Sequence, residues 1–283
     1  MRRLNNTLTS PPRNKKNGWW KVLLALMVFV VIRYYPSEDQ SVNNTQNVAV
    51  PDDTQDAAVY KPYHGQPWPL SEGENTATPT LAEKLTATNY YVIFDGSGSM
   101  DSQDCAEGSK KIQVAKDAVN RFAQSVSAED NLGLLIFDSH GIRDVLPLGT
   151  QNRDEFVKHV NDVVAGATTP LKTALEVGVA RLTEQARRQL GYGEYHLVVV
   201  TDGEAYPENE DPTDVVFKTL STSPVVIQTI GFCIAGEHSL NQPGRTIYYS
   251  ANSPEELKQG LTRVLAEADD FSVTDFEDKG DTR

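Results

Sequence analysis

The run Asp95-Gly96-Ser97-Gly98-Ser99 sets a carboxylate and two hydroxyls at alternate positions of a chain kept supple by two glycines. Such a loop can turn all three oxygens to one side, because glycine accepts backbone angles that other residues avoid. Two more stretches carry the same chemistry: Thr168-Thr169 ahead of Pro170-Leu171, and Thr201-Asp202-Gly203-Glu204. Carboxylate and hydroxyl oxygens are hard ligands, suited to Mg²⁺ or a similar small cation and not to zinc or copper. Catalysis finds less support, and no catalytic residue is expected. Gly96-Ser97-Gly98 lacks the Gly-x-Ser-x-Gly spacing of a nucleophile elbow, and no phosphate-binding Gly-x-x-x-x-Gly-Lys-Ser/Thr occurs. His64, His140, His159, His196 and His238 show no metal-ligand spacing. A remote hydrolytic alternative uses Asp95 as an aspartyl nucleophile, but the second carboxylate of an Asp-x-Asp pair is replaced by Ser97.

An alternation of strand and helix must position these loops. Tyr90-Tyr91-Val92-Ile93-Phe94 is a short apolar run of the kind a buried parallel strand shows. Residues 111–126 repeat apolar side chains at helical spacing. Strands are then expected at 132–137, 142–146, 197–200, 225–230 and 246–249, and helices at 156–164, 171–190 and 214–220. A last helix begins at Ser253-Pro254-Glu255-Glu256, a capping box with proline at the first helical position. This order predicts an α/β fold: a doubly wound, mostly parallel sheet flanked by helices. Ligands of such sheets bind outside the carboxyl ends of the strands, where the three oxygen-rich stretches fall.

The ordered set resembles the von Willebrand factor A-type domain and its metal-ion-dependent adhesion site. That motif is Asp-x-Ser-x-Ser after the first strand, a Thr in a second loop and an Asp after a later strand. The matching residues are Asp95, Ser97, Ser99, Thr169 and Asp202, with Thr168 as the alternative to Thr169. The resemblance covers residues 89–268 and implies a binding protein, not an enzyme. It implies a Mg²⁺ or Mn²⁺ ion that accepts a carboxylate from a protein partner. A scaffold subunit of an envelope complex, whose metal mediates no contact, is the alternative. Membrane-tethered proteins with such a domain are common in bacteria.

Composition agrees with a folded domain and narrows its partners. At 39% hydrophobic and 23% charged, the chain is neither disordered nor fibrous. Residues 1–35 hold seven basic side chains and no acidic one, leaving 19 basic against 39 acidic groups in the remaining 248 residues. So acidic a body repels phosphate backbones, and no nucleic-acid partner is expected. Residues 19–35, from Trp19-Trp20 to Tyr34-Tyr35, form an apolar run with aromatic pairs at both ends. At 1.5 Å per residue it spans about 25 Å, close to a bilayer core. Aromatic rings favour both membrane interfaces, and Arg33-Tyr34-Tyr35-Pro36 is a poor cleavage site, so an uncleaved transmembrane signal anchor is expected. A cleaved signal peptide is the alternative. Arg2, Arg3, Arg13, Lys15 and Lys16 precede the run, which puts residues 1–18 in the cytoplasm and the body outside it, periplasmic or on the cell surface. Residues 36–88 read as a linker, with the aromatic patch at 60–69 packing on the body, and 269–283 as an acidic tail.

Cys105 stands ten residues past Asp95, and Cys233 just past the strand at 225–230. If both strands run parallel, both loops leave the same edge of the sheet. Strands lie about 4.8 Å apart, so a disulfide can close even across one intervening strand. An oxidising, non-cytoplasmic compartment would preserve it. Two separate buried thiols are the alternative.

Overall fold

The computed structural model describes residues 68–69, 79–234 and 238–269. The chain divides into two units, Met1–Ala57 and Ala58–Arg283, and every described residue lies in the second. The expected anchor at 19–35, most of the linker and nearly all of the acidic tail lie outside the described residues. Among the described residues no helix is long and apolar enough to cross a membrane.

Six strands form one sheet: β1 (Thr88–Asp95), β2 (Asn131–Asp138), β3 (Gly141–Gly149), β4 (Glu194–Thr201), β5 (Val226–Phe232) and β6 (Ile247–Ala251). They lie in the order β3-β2-β1-β4-β5-β6, and all run parallel except β3. Ser139-His140 joins Asp138 to Gly141, so the chain turns straight back and β3 is antiparallel to β2. The expected strand at 142–146 continues to Gly149 through Pro147, which an edge strand tolerates because one side needs no donor.

Helices cover both faces of the sheet and join β1 to β2 and β4 to β5, as the α/β reading required. One face packs Val92, Phe94, Leu134 and Val198 against α1 (Lys111–Ser125), α2 (Arg153–Asn161) and α5 (Pro254–Asp269). The other packs Tyr91, Ile93, Leu135 and Val199 against α3 (Leu171–Arg188) and α4 (Thr213–Thr222). Successive residues of one strand serve opposite faces, so the central strands read as unbroken apolar runs.

Local signals explain the helix ends. α3 stops two residues before the expected Leu190, because Leu190 (φ 55°) and Gly191 (φ 77°) are left-handed. Gly191 N–H then donates to Ala186 O at 2.9 Å and closes the last turn. α2 begins three residues earlier than expected, with Asp154 and Glu155 in its first turn, where the helix dipole favours acids. At α5 the Ser253 hydroxyl accepts the Glu256 N–H at 3.2 Å, and the Glu256 carboxylate accepts the Asn252 N–H at 2.7 Å.

Candidate metal centre

Asp95 ends β1 and is fully buried. Its Oδ1 accepts the Ser97 N–H at 2.7 Å, and its Oδ2 accepts the Thr201 hydroxyl at 2.6 Å. The loop that follows is stitched down on both sides. Gly96 N–H donates to Phe137 O at 2.8 Å, Gly166 N–H to Gly96 O at 2.8 Å, and Gly98 N–H to Ala167 O at 3.2 Å. Gly96 must be glycine for space: a Cβ there would lie 2.6 Å from Val163 Cγ1 and 2.9 Å from Asp138 Cβ. The chain then makes a 3₁₀ turn at Gly98–Asp101.

Three loops meet here. The Ser97 and Ser99 hydroxyls are 3.1 Å apart, and the Ser99 hydroxyl donates to Asp202 Oδ1 at 2.6 Å. Asp202 Oδ2 accepts the Lys111 ammonium at 3.0 Å. Gly203 leaves the mouth clear: a Cβ there would stand 3.6 Å from Ser99 Oγ and 3.9 Å from Thr169 Oγ1. Of the two candidate threonines, Thr169 is buried beside this point and Thr168 is exposed. Thr169 is held by a two-way backbone bridge to Tyr206, whose ring is exposed. Thus Asp95, Ser97, Ser99, Thr169 and Asp202 gather at the carboxyl edge of the sheet.

Burial, reinforced by the nearby Asp202 charge, pushes the Asp95 carboxyl up to about 6; the Thr201 and Ser97 hydrogen bonds pull the other way and do not prevail. Two buried like charges are the electrostatic signature of a place that a cation would relieve. Among the described residues, no group of three or more His, Cys, Asp or Glu gathers. That is consistent with a donor set of two carboxylates and three hydroxyls. The set fits a small hard divalent cation. A cleft of about 550 Å³ lined by Trp68, Val179 and Val215 shares no lining residue with this site.

Sequence reasoning named Thr201 among the oxygen-rich stretches without a role, and passed over Lys111. Thr201 orients Asp95 from the end of the apolar run of β4. Lys111 pairs with Asp202, and its signal was a Lys110-Lys111 pair at a helix start, where cations are disfavoured.

The expected disulfide is present. Cys105 and Cys233 are bonded across 128 residues, with Cα atoms 5.8 Å apart. β4 lies between β1 and β5, so the bridge spans one strand at the carboxyl edge. Trp68, in the aromatic patch expected to pack on the body, stands edge-on to Tyr195 with ring centres 4.9 Å apart.

The von Willebrand factor type A domain profile matches residues 89–278. The uncharacterised protein YwmD of Bacillus subtilis is 26% identical over 198 residues, covering 65% of this chain and 88% of YwmD. The uncharacterised protein YwmC of the same organism is 25% identical over 169 residues, covering 55% of this chain and 71% of YwmC. Among solved structures, proximal thread matrix protein 1 of the mussel byssus, with a zinc-occupied MIDAS motif, superposes with a TM-score of 0.52 at 21% identity. That match covers 66% of this chain and 49% of the mussel protein. A variant of the PilB minor pilin of Streptococcus sanguinis gives a TM-score of 0.52 at 12% identity, covering 66% and 62%. The chain spans less than two thirds of each of these two solved proteins. The fold, the loop order and the profile agree: this chain belongs to the von Willebrand factor type A domain family.

Proposed function

We propose that this chain is a membrane-anchored adhesion or assembly protein that captures an acidic side chain of a protein partner through a divalent cation, Mg²⁺ or Mn²⁺. Asp95, Ser97, Ser99, Thr169 and Asp202 hold the ion, and residues 19–35 hold the chain in the membrane with residues 36–88 as a stalk. The observation that carries this reading is the meeting of Ser97, Ser99 and Asp202, linked at 3.1 Å and 2.6 Å, beside a second buried carboxylate, Asp95. The cation would supply a Lewis-acidic vertex for an incoming carboxylate. The chain's own residues do the rest: Thr201 and the Ser97 N–H orient Asp95, and the Thr169–Tyr206 bridge fixes the second loop. Family members of known structure support a divalent ion, since the mussel byssus protein was solved with zinc in its MIDAS motif.

The disulfide supports an extracytoplasmic location, because such bonds persist in oxidising compartments. Calorimetry on the full chain should show Mg²⁺ or Mn²⁺ binding. Capture of a partner should then be lost in EDTA; metal-independent capture would favour the scaffold reading. Protease added to spheroplasts, where it reaches the outer face of the cytoplasmic membrane, should remove the domain, and protection there would overturn the orientation.

A further inference from the structure

Lys111 opens α1, where a cation is poorly placed, because the free N–H groups at a helix start carry partial positive charge. The first turn of α1 holds no acidic residue, and its cap makes no side-chain hydrogen bond. Among the described residues, Lys111 is nonetheless the only buried lysine. Its side chain is 7% exposed, and its Nζ lies 3.0 Å from Oδ2 of Asp202, a side chain with no exposure at all. The backbone fixes this reach: Lys111 N–H donates to Ser102 O at 2.8 Å, tying the start of α1 to the turn that carries Ser99.

Asp202 is thereby divided. Its Oδ1 takes the Ser99 hydroxyl among the proposed ligands, whereas its Oδ2 is held by Lys111. Asp95 has only neutral partners, the Ser97 N–H and the Thr201 hydroxyl. Two carboxylates and one ammonium leave the site a single net negative charge. We propose that Lys111 is a specificity-determining residue: it sets that charge, so that a divalent cation keeps a net positive charge for an anionic partner group. The inference rests on the metal-dependent reading above. Charge count is the lever by which oxygen sites tune cation affinity. With both carboxylates uncompensated, the site would neutralise a divalent ion and hold it tightly, with little attraction left for a partner. The Lys111 ammonium exchanges ion affinity for carboxylate capture.

The test uses the full chain in detergent, Mn²⁺ as probe and calorimetry as readout. Lys111→Met removes the charge, and Lys111→Gln removes it while keeping a donor toward Asp202; circular dichroism checks both folds. Both variants should bind Mn²⁺ at least about ten-fold tighter, a modest effect for one charge a few ångströms away. In EDTA both should melt below wild type, and saturating Mn²⁺ should close the gap. In an Asp202→Asn background, Lys111→Met should no longer shift the EDTA melting, a coupling that a merely structural lysine would not show. Wild-type Mn²⁺ binding with equal or weaker binding by both variants overturns the assignment and leaves the metal-dependent reading standing. Absence of Mn²⁺ binding in wild type and variants overturns that reading and this one with it. Variants that fold in neither condition also overturn it, since Lys111 then serves stability alone.

Discussion

At the amino edge of the sheet, Asn89 is buried with Gln189 and Asn131. Its amide nitrogen, with two hydrogens, lies 2.9 Å from Ala87 O, 2.7 Å from Glu194 O and 2.8 Å from Gln189 Oε1, and its oxygen accepts from Asn131 at 2.9 Å. At the carboxyl edge, Asp95 and Asp202 are buried with hydroxyls and one ammonium, and like charges still face each other. Both edges satisfy the rule that buried polar atoms find partners. Only the second keeps a charge imbalance that an added ion would relieve. A neutral, closed network staples strands together, whereas a charged and incompletely balanced one gives up stability for binding.

The carboxyl edge also carries a covalent brace between the loop after β1 and the loop after β5. Replacing both Cys105 and Cys233 by alanine should lower stability by about 5 kcal/mol on loop-closure entropy, the largest effect expected of any change here. Denaturant titration of oxidised wild type against the double variant measures it. Mg²⁺ affinity should fall as well, because the loop holding Ser97 and Ser99 runs on to Cys105. Unchanged stability would show that packing alone joins the loops.

The edges should then answer substitution in opposite senses. Asp95→Asn removes one of two facing charges, so Mg²⁺ affinity should fall at least about 100-fold, roughly 3 kcal/mol, since even groups behind the ligands cost 10–100-fold. The same variant should melt above wild type in EDTA, because repulsion from Asp202 is gone. Asn89→Ala should do the reverse, losing about 2–3 kcal/mol as Gln189 and Asn131 lose their shared partner. Its Mg²⁺ affinity should match wild type. If Asn89→Ala weakened the metal or Asp95→Asn lowered the metal-free melting point, the division between the edges would collapse.

Much of this was legible in the residues. β1 and β2 announce themselves as apolar runs too long for an edge, and the oxygen-rich loops follow strands in the order a parallel sheet demands. Even the disulfide followed from topology, because two parallel strands deliver their loops to one edge. The hidden parts depend on side chains that cross between elements. Nothing in Lys110-Lys111 says which lysine turns inward; burial decides it, with Lys110 paired to the exposed Asp101 and Lys111 to Asp202. Thr168 and Thr169 are likewise equivalent in type, and only the backbone bridge to Tyr206 turns one inward. Helix ends were read less closely: Gly191 marks the stop of α3, but nothing in the composition says that Leu190 before it is also left-handed.

The smallest expected effect tests the amino half through His196, which lies near the start of β4, at the other end of the strand from Asp202. Its Nδ1 meets Gln228 Oε1 at 3.2 Å, and Gln228 in turn donates to Glu267 at 2.9 Å. Because that amide nitrogen is committed to Glu267, its oxygen faces the ring, so Nδ1 carries the hydrogen of a neutral imidazole. Tyr90 stacks on the ring at 5.1 Å, and Glu194 stands 3.7 Å from Nε2. Burial lowers the proton affinity below the ordinary 6.5, and the attraction of Gln228, Glu194 and Glu267 for a charged ring does not overcome it. An unfolded chain therefore takes up a proton near pH 6.5 that the folded chain refuses. Stability tied to this group is complete above pH 6.5 and falls as the pH drops toward the depressed folded value, by about 1.4 kcal/mol per pH unit. His196→Gln keeps a donor toward Gln228 and cannot titrate, so its denaturation midpoint should vary less than that of wild type between pH 7 and about 5. Parallel curves for the two proteins would mean that His196 is charged in the fold, and that the amino half is not the neutral counterpart of the carboxyl edge.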